Sequence, residues 1–224
     1  MNGYRFFIER VPTPTGTMFL VTDEQDVLRA LDWEDYEPRM HRLLRLHYGE
    51  GRVRLEVNPR ASTARRALEA YYTGALSALD TLKVQTGGTA FQREVWAALR
   101  AIPVGTTTTY GCLAAQLGRP KAMRAVGMAN GANPIGIVVP CHRVIGADAS
   151  LTGYGGGIAR KRWLLAHEGV RIARINPAAD GPHLPGLSPP PHGSASKPAP
   201  RAPARPGPRA SMSASGRAGP SGRP

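Results

Sequence analysis

Asn133-Pro134-Ile135-Gly136-Ile137-Val138-Val139-Pro140-Cys141-His142-Arg143-Val144 is the stretch on which the reading of this chain turns. An apolar run delivers a cysteine directly after a proline and directly before a histidine and an arginine. A thiol becomes a strong nucleophile only as thiolate, and neighbouring cations lower its pKa from about 8.5. His142 and Arg143 are the candidate sources of that field. Adjacent side chains need not point at one another, so His142 is expected to reach Cys141 through a water, oriented by a carboxylate from elsewhere in the chain. The residues alone leave two readings open: a Cys/His hydrolase or transferase, or an inert cysteine packed in a core.

Upstream of this stretch, Thr89 and Gln92 have capping-box spacing, and Phe91, Val95, Ala98 and Leu99 mark one apolar face of a helix that Pro103 and Gly105 end. A second helix is expected at about Tyr110 to Leu117, stopping at Gly118, and a third at about Lys121 to Asn130, after Pro120. Two short helices joined by a tight Gly-containing turn outline a helix-turn-helix, whose second helix can enter a groove of DNA; the same outline describes a plain packing unit. Nearer the start, Tyr4 to Val11, Met18 to Thr22 and Val27 to Trp33 are short β-branched and aromatic runs separated by turn residues, the pattern of an antiparallel meander. Helices are expected at about Glu37 to Tyr48 and Ser62 to Thr73. Nothing in this first part suggests a reaction centre, so its expected role is structural.

The chain has 224 residues, room for one large domain or two small ones, and a formal charge of +13 that predicts attraction to polyanions. Residues 175–224 contribute +5 of this, so the body is basic by itself. That last segment holds 13 of the 21 prolines, with Gly, Ala, Ser and spaced Arg. It offers too little apolar area to offset the entropy of ordering it and is read as a disordered basic tail. No apolar run is long enough to cross a bilayer and no secretory signal is visible, so a cytoplasmic location is expected. Two cysteines make no disulfide framework, and the six histidines show no zinc-ligand spacing. Cys112, among Leu113, Ala114 and Ala115, is expected to be ordinary helix packing.

Pro140-Cys141-His142-Arg143-Val144, preceded by Asn133-Pro134 and followed by Tyr154 and Trp163-Leu164-Leu165-Ala166-His167-Glu168-Gly169, closely resembles the O6-alkylguanine-DNA alkyltransferases, the methylated-DNA--protein-cysteine methyltransferases. The likeness covers most of residues 1–172, with Thr13-Pro14-Thr15-Gly16, Leu31-Asp32-Trp33, Phe91-Gln92 and Tyr110-Gly111 adding to it. It implies an α/β (α+β) protein: a small N-terminal α/β domain with an antiparallel sheet (1–82), a winged-helix-like DNA-binding catalytic domain containing the helix-turn-helix (86–172), and the tail (173–224) outside the likeness. It implies irreversible transfer of an alkyl group from O6-alkylguanine in double-stranded DNA to the protein's own cysteine, by a monomer, with no cofactor, no metal and no membrane partner.

Residue by residue, the resemblance makes Cys141 the alkyl acceptor, His142 the water-linked base and Glu168 the carboxylate that orients it. Asn133 would tie the recognition helix to the active-site loop, and Tyr110 would stand near the flipped nucleotide's phosphate and guanine N3. Arg124 would enter the base stack, with Met123 and Ala125 beside it against DNA. Tyr154, Gly155, Gly156 and Val144 would form the base pocket. Gly155 stands where some relatives have serine and Gly136 where some have proline, from which a looser pocket is expected. Arg160, Lys161 and Arg162 suggest either phosphate contacts or an exposed helix face. The rival readings are a lesion-binding module that accepts no alkyl group and a small-molecule Cys hydrolase.

Overall fold

The computed structural model describes residues 3–171, so the expected tail lies outside it. Strands β1 (Tyr4–Val11), β2 (Met18–Asp23) and β3 (Leu28–Trp33) form the expected antiparallel meander, in register at Ile8↔Val21 and Leu20↔Leu31. Helix α1 (Glu37–Tyr48) then leads to β4 (Val53–Val57), which pairs parallel to β1 and gives the order β3-β2-β1-β4. The sheet is therefore mixed rather than antiparallel throughout. β4 escapes a sequence reading because it is an edge strand carrying Arg54 and Glu56, the charge that natural edges use against further pairing.

Alternate residues of the sheet enter different cores, as a two-residue period requires. Phe6, Val21 and Ala30 meet Met40, Leu44 and Tyr48 of α1. Leu20, Leu31 and Trp33 belong to a larger core that takes Leu68 and Tyr71 from α2 (Thr63–Tyr72) and Val95, Leu99, Leu113 and Leu164 from the second half of the chain. Coverage on both faces explains why β2 and β3 are buried along nearly their whole length.

Helix α3 (Ala90–Arg100) starts with the expected capping box: Gln92 N–H donates to Thr89 Oγ1 at 3.2 Å, and Thr89 N–H donates to Gln92 Oε1 at 2.9 Å. α4 (Tyr110–Gln116) and α5 (Met123–Gly131) form the helix-turn-helix, and Trp96 Nε1 of α3 holds α5 by donating to the Ala129 carbonyl at 2.8 Å. Two residues of β5 (Thr108–Thr109) pair with β6 (Val144–Ile145), joining the entry to α4 with the segment after Cys141. α6 (Ile158–His167) closes the described chain. Cys112 is exposed, not packed, because it lies on the outer side of the first turn of α4. No helix of the described residues is long and apolar enough to cross a membrane.

Candidate active site

The loop from Asn133 to Cys141 is fixed by its own backbone and by β3. Leu31 N–H donates to the Pro134 carbonyl at 3.0 Å and Gly136 N–H donates to the Leu31 carbonyl at 2.8 Å, so the loop adds itself to the sheet edge. Next, Val138 N–H bonds the Gly136 carbonyl at 2.7 Å around Ile137, whose φ is 64°. This is the rare positive-φ γ-turn, strained for a β-branched residue by about 1–3 kcal/mol. A second turn at Pro140 (φ −81°, ψ 61°), with Cys141 N–H on the Val139 carbonyl at 2.8 Å, is the common inverse form. Two successive tight turns thus deliver Cys141 to a short 3-10 turn, Cys141–Arg143, inside the protein.

Asn133, 1% exposed, fastens this loop. Its Nδ2 donates to the Val139 carbonyl at 2.8 Å, the Ile135 carbonyl at 3.3 Å and Cys141 Sγ at 3.1 Å, while its Oδ1 accepts from Ile135 N–H at 3.0 Å. Burial pushes the Cys141 thiol up; the Asn133 hydrogen bond and the charges of Arg39 and Lys161 act the other way and favour thiolate. The cationic field expected from His142 and Arg143 thus has a different source. Arg143 is committed elsewhere: its Nε and Nη2 grip Glu168 at 2.8 and 2.9 Å, and its Nη1 donates to the Ile102 carbonyl at 2.6 Å.

His142 and Glu168 meet as the resemblance implied, Nε2 to Oε1 at 2.9 Å, both without side-chain exposure. Glu168 Oε1 also accepts from Tyr71 Oη of α2 at 2.9 Å. Burial alone would raise the Glu168 pKa, but His142 and Arg143 outweigh it and hold the carboxyl far below the usual carboxylate range. Burial lowers the His142 pKa, so the ring is neutral near pH 7. With Nε2–H directed at Glu168, Nδ1 is left as the basic nitrogen, and it is buried with no partner among the described residues.

Tyr154 stands edge-on to His142 and to Trp33, with centroids 6.4 and 5.8 Å apart, and its buried hydroxyl has no partner among the described residues. Val144 is fully buried, its carbonyl accepting from Lys161 Nζ at 2.7 Å. Gly155 and Gly156 have no positive φ, so space rather than backbone conformation selects them. A Cβ on Gly156 would lie 2.6 Å from Trp33 Cε3, one on Gly155 2.6 Å from Arg39 Cζ, and one on Gly136 3.5 Å from Trp33 Cζ3. The expected looseness is absent: Trp33 and Arg39 occupy the room that the glycines leave.

On the outside, Met123, Arg124 and Ala125 are exposed at the start of α5. Tyr110 opens α4, half-buried, its Oη accepting from Thr152 Oγ1 at 3.5 Å. Arg160 and Lys161, by contrast, are buried and engaged inside the protein, not on an exposed face. Arg160 donates to the Thr15 carbonyl at 2.8 Å and stacks over Trp33 at 5.0 Å. Lys161 Nζ donates to the Val144 and Thr152 carbonyls, each at 2.7 Å, and burial lowers its pKa to about 8. Among the described residues no group of three or more His, Cys, Asp or Glu side chains is arranged to hold a metal ion.

Known proteins resemble this chain over most of its described length. A family model described as 6-O-methylguanine DNA methyltransferase, DNA binding domain, matches residues 90–170. A methylated-DNA--protein-cysteine methyltransferase of Salmonella typhimurium is 58% identical over 170 residues, covering 75% of this chain and 98% of that protein. Among solved structures, Mycobacterium tuberculosis OGT in complex with DNA superposes with a TM-score of 0.59 at 39% identity, covering 77% of this chain and 96% of that one. The O6-methylguanine-DNA methyltransferase of the archaeon Pyrococcus kodakaraensis gives 0.58 at 28% identity, covering 74% and 99%.

Proposed function

This chain belongs to the methylated-DNA--protein-cysteine methyltransferases, and from that premise we propose how its own residues repair O6-alkylguanine in duplex DNA by moving the alkyl group to Cys141. The observation that carries the assignment is the buried array in which Asn133 donates to the sulfur while Glu168 fixes the neutral His142 with Nδ1 free to accept a proton.

The target carbon is enclosed in a duplex, so the nucleotide must leave the stack, at a cost of about a few kcal/mol. Met123, Arg124 and Ala125 face outward at the start of α5, where they meet the minor groove; Arg124 fills the vacancy, since a guanidinium can stack while attracting phosphate. Tyr110 steadies the extruded nucleotide, and Tyr154 with Gly155, Gly156 and the Val144 backbone receives the base. The Cys141 proton passes through water to His142 Nδ1. The thiolate attacks the alkyl carbon, a C–S bond forms, the C–O bond breaks with its electron pair going to guanine O6, and the proton returns to the base. The thioether has no hydrolytic exit, so each molecule acts once.

In this reading residues up to about 82 are a supporting domain and 86–172 the transfer domain, working as a monomer in the cytoplasm, a compartment that keeps a reactive thiol reduced. Cys141→Ala is expected to bind a lesion-bearing duplex yet leave the lesion in place, whereas Arg124→Ala slows transfer from duplex more than from single strands. Dealkylation by Cys141→Ala, followed as the return of unmodified guanine in the oligonucleotide, contradicts the assignment.

A further inference from the structure

We propose that Arg39, on α1 of the N-terminal half, contacts the substrate and donates a hydrogen bond from Nη1 to the guanine oxygen as it departs. The inference rests on the alkyl-transfer reading above.

Asp32, 1% exposed at the end of β3, grips Arg39 in a two-point pair, Oδ2 to Nε at 3.0 Å and Oδ1 to Nη2 at 3.1 Å. This fork fixes the plane of the guanidinium and aims the remaining nitrogen, Nη1, away from the carboxylate. Among the described residues Nη1 has a single weak contact, the Gly131 carbonyl at the end of α5, at 3.5 Å. The same nitrogen and Cζ lie directly over Gly155, in the place where a side chain would otherwise stand. The guanidinium charge also favours the anionic form of Cys141 and of Tyr154.

The other cations of the site, and the neutral His142 ring, lack such a donor. Arg143 has all three nitrogens engaged by Glu168 and the Ile102 carbonyl, Lys161 is held by two carbonyls, and His142 Nε2 is on Glu168. When the C–O bond breaks, negative charge develops on guanine O6, and a fixed guanidinium donor lowers that barrier more than it stabilises the neutral ground state. Asp32 and Arg39 together are then a built-in electrophile for the leaving oxygen, supplied by the half of the chain that carries no catalytic motif.

Single-turnover methyl transfer at saturating protein should be compared on duplexes holding O6-methylguanine and S6-methyl-6-thioguanine, whose sulfur leaving atom gains far less from a hydrogen-bond donor. Arg39→Gln, which can still bond Asp32, is expected to slow transfer from oxygen by on the order of 100-fold, and from sulfur several-fold at most; Arg39→Lys recovers part of the loss. Equal slowing on both leaving atoms, or no slowing on either, overturns the proposal. If Arg39→Gln does not fold, the oxygen-to-sulfur ratio of Arg39→Lys decides by the same criterion. A wild-type protein that transfers nothing to Cys141 refutes the alkyl-transfer reading instead, which keeps the two failures distinct.

Discussion

The two halves of the described chain hold their charges in opposite ways. In the N-terminal half, Arg5–Glu56, Arg10–Glu34 and Arg65–Glu69 lie at the surface, where such pairs contribute about 0–1 kcal/mol each. In the C-terminal half, His142, Arg143 and Glu168 form a network from which water is nearly excluded, and Lys161 is fully enclosed. Exposed pairs can be lost without leaving an uncompensated charge; the buried network cannot. Partly buried pairs interrupt the N-terminal pattern, among them Glu9–Arg65, Asp23–Arg29, which organises the turn between β2 and β3, and Asp32–Arg39, beside the active-site loop. With Tyr71 on Glu168 and Trp33 against Gly156, the latter pair marks where the supporting half becomes part of the site.

The sharpest way to break this contrast is Glu168→Ala, which leaves Arg143 and His142 buried without their acceptor. Urea denaturation at pH 7 is expected to show a loss of about 3–5 kcal/mol. The same carboxylate sets an acid limb. Its folded pKa is depressed, so its stabilisation is fully present above the unfolded value of 4.5 and is lost as pH falls from there toward the folded value. Glu168→Gln should therefore lose less stability between pH 6 and pH 3 than wild type does, in the same denaturation experiment.

Smaller effects sharpen the boundary between the halves. Gly156→Ala drives a Cβ into the Trp33 ring, which is held in the core, at a cost of about 1–3 kcal/mol. Gly155→Ala meets the Arg39 guanidinium, which can shift along its Asp32 pair without moving an aromatic ring through the core, and should cost clearly less; equal thermal shifts for the two would contradict the packing described. Tyr71→Phe removes one of three donors to Glu168 Oε1, for about 1–2 kcal/mol. Arg10→Ala, breaking an exposed pair, should change stability by less than about 0.5 kcal/mol.

What the sequence discloses follows the same division. Local rules made the meander, the Thr89–Gln92 cap, the helix-turn-helix and the Cys141-His142 pair readable, because each depends on residues a few positions apart. The roles of Arg39, Tyr71 and Trp33 are not legible in the sequence, because they depend on contacts with residues 97 to 123 positions away, at Glu168 and at Gly155 and Gly156. Lys161 and Arg160 read as surface cations since no local signal announces the carbonyls that receive them. Cys112 erred the other way, its apolar neighbours Leu113 and Ala114 facing inward while it faces out.

The account depends on Cys141 alone taking the alkyl group. Protein incubated with excess duplex containing O6-methylguanine, then weighed intact and mapped by peptide mass spectrometry, should gain one methyl group in place of one thiol proton, on Cys141, and no more however long the exposure. Folded protein that remains unmodified, or a methyl group found on Cys112 or any other residue, would contradict it.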